Sequence, residues 1–314
     1  MSQFCIAFYN LENLFDTVND PKTLDDDFTE NSDRRWDEKR LQKKLKKLGR
    51  VISSIGYRDI GHSPVILGIA EVENEEVVRR LIQSKFLRKK GYDLVHFDSP
   101  DERGIDTALI YRKRFFRVEQ QQVHTLHLVN ERGQRDFTRD ILHVQGVLNG
   151  HRVHVLVNHW PSRRAGVELT EPRRVDAANR NLEVIQAIRE QDANARVIVM
   201  GDLNDDPHSL SVKTLTDDGL YNPMEDLHRR GLGSLNYQDN WNLFDQILMS
   251  PNLQHPHPNP FRFREAHIHS PQDIREFRGR FKGNPFRTFA GRRYLGGFSD
   301  HFPVYTLFDL REER

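Results

Sequence analysis

The chain has 314 residues, 37% of them hydrophobic and 30% charged, which is enough to bury a core without disulfide or metal staples and too apolar for a disordered polymer. Lys and Arg number 47 against 46 for Asp and Glu. The resulting +1 excludes a protein that coats nucleic acid by bulk attraction, though not one with a local basic groove.

In chain order, the first short apolar run is residues 5–9, read as a buried strand. Next, Leu41, Leu45, Leu48, Ile52 and Ile55 recur at helical spacing, and Gly56 offers a stop. The basic residues of that stretch, Lys39, Arg40, Lys43, Lys44, Lys46 and Lys47, are read as its solvated face. A strand at 65–70 and a helix at 75–86 follow, then strands at 107–111, 141–148 and 153–157. Asn149-Gly150 joins the last two as a two-residue hairpin, so the sheet is mixed. A helix over 174–190 precedes strands at 197–200, 244–249 and 304–308. Strands alternating with helices predict an α/β layered fold. With no repeat, low-complexity tract or linker, residues 1–314 read as a single domain.

Cys5 is the only cysteine, which excludes an internal disulfide framework and a Cys-based zinc cluster. The apolar runs fall far short of the ~20 residues that span a bilayer. Residues 1–10 lack a basic leader, so the expectation is a cytoplasmic protein without a signal peptide.

Polar residues gather where the predicted strands end. Asn10 and Glu12 follow the first strand, Glu71 and Glu73 the second. Asn158 and His159 follow 153–157, and Asp202 and Asn204 follow 197–200. Asp245 opens another strand, and Asp300 and His301 precede the last. Singly, each has a structural reading as a helix cap or Asx turn. Jointly they form a candidate site, because strand ends in layered α/β folds converge on one crevice. Carboxylate and amide oxygens suit a hard cation such as Mg²⁺ better than zinc, and histidines handle protons near neutral pH. That combination is suited to hydrolysing a phosphate ester.

The stretches Phe8-Tyr9-Asn10-Leu11-Glu12-Asn13-Leu14-Phe15-Asp16, Gly68-Ile69-Ala70-Glu71-Val72-Glu73, Arg103-Gly104-Ile105-Asp106-Thr107-Ala108-Leu109, Asn158-His159-Trp160-Pro161-Ser162-Arg163, Gly201-Asp202-Leu203-Asn204-Asp205-Asp206-Pro207, Phe244-Asp245-Gln246-Ile247 and Gly297-Phe298-Ser299-Asp300-His301-Phe302-Pro303-Val304 occur in one order from residue 8 to 304. Together they resemble the endonuclease/exonuclease/phosphatase superfamily, the deoxyribonuclease-I-like fold, and within it a bacterial nuclease-like branch. The resemblance implies a four-layered α/β sandwich, two mixed β-sheets face to face and flanked by helices. It also implies a phosphoesterase using Mg²⁺, with Mn²⁺ or Ca²⁺ as substitutes. By position, Glu71 matches the principal metal ligand, with Asn10 beside it, Glu12 near a second metal position and Asp300 another metal-side carboxylate. Asp202 and Asn204 match the pair that orients water and contacts phosphate. His301, held by Asp245, and His159 match the histidines of the site. His301 as base with His159 as acid is slightly preferred to a scheme in which both contact phosphate. Arg103, Arg139, Ser162 and Arg163 are candidate phosphate-binding residues.

The implied substrate is a phosphate ester, with nucleic acid preferred and no obligate protein partner. A small phosphorylated metabolite, inositol phosphate or phospholipid headgroup is the alternative. Residues 261–294 carry nine Arg and Lys against three carboxylates, a local +6, with interleaved aromatics. They suit a polynucleotide, or else form a long loop with solvated arginines. Arg103 and Asp106 are expected to pair at the rim, while Arg163 and Arg164 either face phosphate or are solvated. His255, His257, His267 and His269 lie outside the matched stretches and are read as structural or solvated.

Overall fold

The computed structural model describes residues 2–129, 133–254 and 260–310. Its strands, in chain order, are β1 (Ser2–Leu14), β2 (Ile66–Val72), β3 (Tyr92–His96), β4 (Asp106–Arg112), β5 (Phe116–His124), β6 (Ile141–Leu148), β7 (His151–His159), β8 (Val197–Asp202), β9 (Asp245–Met249), β10 (Phe261–Ile268) and β11 (Val304–Leu310). Three further two-stranded ribbons lie in the connections. The first sheet runs β10-β11-β1-β2-β4-β3 and the second β9-β8-β7-β6-β5. β1 with β2 and β7 with β8 are parallel, and the remaining neighbours within these two sheets are antiparallel. Helices are α1 (Glu38–Ser54), α2 (Tyr57–Ile60), α3 (Glu75–Ile82), α4 (Val167–Gln191), α5 (Leu210–Asp217) and α6 (Met224–Arg229).

Alternation along β1 explains the layers. Phe4, Ile6 and Phe8 point between the sheets, where they meet Val155, Val157, Ile198 and Met200. Cys5, Ala7 and Tyr9 point the other way, onto Leu41, Leu45 and Leu48 of α1. On the far side, Leu156 and Val199 pack on Ala177, Ala178 and Ile185 of α4. Helices, sheet, sheet and helices therefore stack as four layers, and the inner strands read as continuous apolar runs because both faces are covered.

All eight predicted strands form. The three strands of the two large sheets that were not expected, β3, β5 and β10, are sheet edges. Edge strands carry polar and charged side chains, here the Arg-Val-Glu-Gln-Gln-Gln run of β5 and the Arg-Phe-Arg-Glu run of β10. α3 ends at Ile82, four residues earlier than expected. α4 begins at Val167, seven residues earlier than expected, and carries Pro172 in its second turn, where the ring removes the bond to the Glu168 carbonyl. Gly56 stops α1 with φ of 67°, and a Cβ there would meet Cys5 Sγ at 2.8 Å. Among the described residues no helix is long and apolar enough to cross a membrane.

A row of histidines crosses the second sheet on β5, β6 and β7. His143 Nδ1 lies 3.3 Å from His124 Nε2, and His143 Nε2 lies 3.0 Å from His154 Nδ1. Burial, with His154 and His124 beside it, lowers the His143 pKa to about 3. The unfolded chain therefore takes up a proton near pH ~6.5 that the folded chain refuses until about pH 3. Stability is unaffected above that window and falls as pH drops through it, by about 2 kcal/mol at pH ~5 from this residue alone. Urea unfolding at pH 7 and pH 5 checks this. His143→Gln is expected to flatten the pH slope, and an identical slope would contradict the assignment.

Candidate active site

The site lies where both sheets end on the same side. Asp202 closes β8, and its register neighbours are His159 on β7 and Asp245 on β9. Asn10 on β1 pairs with Ala70 on β2, one residue before Glu71. The loop into β11 brings Asp300 and His301. The backbone is bent to do this. Glu12, Asn13, Glu71 and Asn204 all have φ between 49° and 60°. The ladders of β1 with β2 and β2 with β4 shift register around Glu12, Asn13 and Glu71. Such left-handed bulges at strand ends are costly for non-glycine residues and re-aim side chains.

Asp202 is the hub. Its Oδ2 accepts from Asn10 Nδ2 at 3.0 Å, and its Oδ1 from the Asn204 amide at 3.0 Å. The same Oδ2 lies 3.8 Å from His159 Nε2 and 3.9 Å from His301 Nε2. Two imidazoles thus converge on one carboxylate oxygen, with a gap on each side. Burial, with Asp245 nearby, pushes Asp202 up to about 6 against the pull of His301.

The two histidines are driven to opposite charge states. Burial alone would keep His301 neutral, yet Asp245 bonds its Nδ1 at 2.6 Å, and Asp202 and Asp300 add to it. The net effect holds His301 well above its ordinary value. His159 is held well below, by burial first and then by Arg139, Arg103 and His301. His301 thus favours its charged form and His159 its neutral form.

Glu71 Oε2 accepts from the Asn13 amide at 2.9 Å, while Oε1 lies 3.9 Å from His159 Nε2 and has no donor among the described residues. Asp300 is one-third exposed, and its Oδ2 takes Arg287 Nη2 at 2.8 Å. Open carboxylate oxygens with the Asn10 amide beside them are a donor set that fits a hard divalent cation. Asp202, Asp245 and His301 also bring ligand atoms within 4.8 Å of one another, but the short Asp245–His301 contact marks that trio as a hydrogen-bonded relay.

Other expected residues have different surroundings. Glu12 is buried, with Oε2 on the Thr288 amide at 2.5 Å and Oε1 on the Phe289 amide at 3.2 Å. Burial and Asp300 push it up to about 7. It ties the 287–289 stretch to β1. Arg139 is buried, bound to Asp101 Oδ2 at 2.9 Å and to the Trp160 carbonyl at 2.8 Å. That carbonyl also accepts from Asn204 Nδ2 at 2.9 Å, so Arg139 braces the His159–Asn204 side of the site. Arg163 does not face open crevice. It bonds Asp205 Oδ1 through Nε at 2.9 Å and Nη2 at 2.6 Å, and lies 4.5 Å over the Phe244 ring. Arg164 next to it is exposed, and its charge reaches His159 and Arg103. Ser162 is half-buried. The expected Arg103–Asp106 pair is absent. Arg103 Nη2 donates to Asn13 Oδ1, and Asp106 is bound by His96 at 3.0 Å and by the Ser99 amide at 2.9 Å.

Lys44 was misread as solvated. It is 2% exposed, its ammonium donating to the Glu12 carbonyl and to Thr288 Oγ1 at 2.9 Å. Burial lowers its pKa against the pull of Glu12, Asp300 and Glu71. Its position was legible, since it sits three residues after Leu41 and four before Leu48, on the apolar face. The +6 segment divides as well. Arg262 and Arg264 lie on β10 against Asp309, at the end of β11 remote from His301. His267 stacks on Tyr305, and His269 bonds Ser54 Oγ at 2.9 Å. His255 and His257 lie outside the described residues.

A sequence model of the endonuclease/exonuclease/phosphatase family matches residues 5–310. The chain belongs to this family. Solved structures share its fold. A family protein from Bacteroides thetaiotaomicron is 16% identical, with a TM-score of 0.58 over 98% of this chain and 97% of that one. Truncated TDP2 from Caenorhabditis elegans is 18% identical, with a TM-score of 0.58 over 98% and 97%. A mannosyl-6-phosphatase from Bacteroides thetaiotaomicron is 16% identical, with a TM-score of 0.57 over 97% and 99%. No curated protein sequence matches the chain. As a member of the family it is a phosphoester hydrolase, and the Asp202 hub lies among the stretches through which the sequence resembles that family.

Proposed function

We propose that residues 1–314 form a single catalytic domain, a divalent-metal-dependent phosphodiesterase of nuclease type. The observation that carries this reading is the convergence of His159 Nε2 and His301 Nε2 on Asp202 Oδ2, at 3.8 and 3.9 Å. The two ring nitrogens and the carboxylate oxygen thus face one common space, where a phosphate and an attacking water would be held.

In this reading Asp202, raised toward neutrality and fixed by Asn10 and Asn204, accepts the proton of the attacking water. Cationic His301, oriented by Asp245, holds a phosphoryl oxygen and stabilises the charge that develops there, while the P–O ester bond breaks as the bond from water forms and the leaving oxygen takes its proton from solvent. Neutral His159 binds on the opposite side. Glu71, Asn10 and Asp300 would hold Mg²⁺, with Mn²⁺ or Ca²⁺ as substitutes, and the cation would supply charge neutralisation at the phosphate. Glu12 and Lys44 position the 287–289 stretch beside Asp300. Arg103, Arg164 and Ser162 border the phosphate, while Arg139 and Arg163 shape the walls. Exposed Trp241 stacks on Phe302, next to His301, with rings 6.0 Å apart at 17°. An exposed ring stacked on the residue that follows His301 favours a nucleobase-bearing substrate over a small sugar phosphate.

A panel of single-stranded and duplex DNA, RNA, inositol phosphates, sphingomyelin and a sugar phosphate, each with Mg²⁺, Mn²⁺ or Ca²⁺, tests the class. Hydrolysis of nucleic acid at least ~100-fold above the monoesters is expected. Preference for a monoester would replace this reading by the small-substrate one. Glu71→Gln is expected to raise the Mg²⁺ concentration for half-maximal activity about 10-fold or more. An unchanged titration would remove Glu71 from the metal site.

A further inference from the structure

A basic pocket outside the Asp202 centre has no part in the chemistry above. Lys43, Lys46, Lys47 and Arg50 are spaced i, i+3, i+4 and i+7 on α1, and so share one face. Opposite them the 272–298 stretch presents Phe277, Phe286 and Phe298, enclosing about 570 Å³. With Arg275 five cations line this space, and Asp273 is its only carboxylate among the described residues. Asp273 is already bound to Arg50 at 3.2 Å. Lys43 and Lys46 are exposed and have no carboxylate partner among the described residues. Lys47 lies 4.6 Å and Arg50 5.2 Å from the centre of the Phe298 ring. Burial, then Lys43 and Arg50, lower Lys47 to about 8. Five cations around one carboxylate leave a surplus of positive charge that an anion joining them would offset.

The pocket adjoins the catalytic centre. Phe286 lines it, while the next residue, Arg287, bonds Asp300 at 2.8 Å. Phe298 lines it two residues before Asp300. One stretch of chain thus has the pocket on one side and the site on the other. Phe277 in the pocket wall is 61% exposed with the Arg278 guanidinium 5.1 Å from its ring, and Phe281, four residues on, is 59% exposed. Cations with exposed rings beside them match alternating phosphates and unstacked bases.

We propose that this pocket is a second, non-catalytic site that binds the flanking phosphates and bases of a single-stranded polynucleotide held at the Asp202 centre. The proposal rests on the phosphodiesterase reading above.

The test separates binding from chemistry. Affinity for a labelled single strand of about 20 nucleotides is measured in EDTA, where no turnover is expected, across a salt series. Hydrolysis of bis(p-nitrophenyl) phosphate, too small to reach the pocket, is measured with Mg²⁺. The Lys43→Glu/Lys46→Glu variant is expected to bind the strand at least ~10-fold more weakly, with a log–log salt slope smaller by about 1.4. Phe277→Ala is expected to weaken binding ~5-fold or more. Both should hydrolyse the small diester at the wild-type kcat/KM. Strand affinity and salt slope unchanged in both variants would overturn the pocket. Saturation by inorganic phosphate or phosphoinositide vesicles, with no affinity for the strand, would overturn the polynucleotide assignment. If the wild type binds the strand but leaves the small diester intact, the phosphodiesterase reading fails while the binding readout still stands.

Discussion

His301→Ala is expected to lower kcat/KM for phosphodiester hydrolysis about 10³-fold or more while the protein stays folded. The side chain is buried, so its charge is not screened by solvent, and its work is done on a substrate oxygen. Asp245 is fully buried and bonds His301 Nδ1 at 2.6 Å. It fixes the tautomer and holds the positive charge. Asp245→Asn keeps the volume but removes that charge, so a loss of about 10²-fold is expected from it. Asp202→Ala should fall as far as His301→Ala, because both histidines converge on its Oδ2. Steady-state kinetics with melting curves checks the set. Near-wild-type turnover in a folded His301→Ala or Asp202→Ala protein would sink the account.

The second large effect is on stability. Asp205 is 1% exposed and serves two arginines. Its Oδ1 takes Arg163, and its Oδ2 lies 2.7 Å from Arg174 Nε and accepts from Ser211 Oγ at 2.5 Å. Arg174 is fully buried in α4. Removing Asp205 strands that guanidinium without a carboxylate, and breaking such a pair costs about 3–5 kcal/mol. Asp205→Ala is therefore expected to lose about that much in urea unfolding. Arg163→Ala should lose much less, because Arg163 is 22% exposed and leaves Asp205 paired with Arg174. A loss below about 1 kcal/mol for Asp205→Ala would contradict this role. A larger loss for Arg163→Ala than for Asp205→Ala would do so too.

What the sequence revealed follows from burial. Strands covered on both faces, such as Val197–Asp202, stand out as apolar runs, and the polar residues at their ends stand out by contrast. Edge strands such as Phe116–His124 face water and look like loops. Chemistry at strand ends was readable by residue type, but pairing was not. Nothing local tells that Arg163 will turn to Asp205, or that Arg103 will choose Asn13 over Asp106. Those choices depend on loops distant in sequence that meet only in the fold. The left-handed bends at Glu12, Asn13, Glu71 and Asn204 were equally hidden, since none of these residues is glycine. Lys44 is the instructive miss, because its helical phase placed it inward while its charge suggested outward. The charges of the histidines were invisible as well, because burial and Asp245 set them together.

The most direct test is hydrolysis of bis(p-nitrophenyl) phosphate by purified protein stripped with EDTA, then supplied with Mg²⁺. The account predicts no turnover in EDTA, restoration by Mg²⁺, and in Mg²⁺-supplied His301→Ala a rate about 10³-fold or more below wild type. Equal turnover with and without EDTA, or none in the Mg²⁺-supplied wild type, would contradict it.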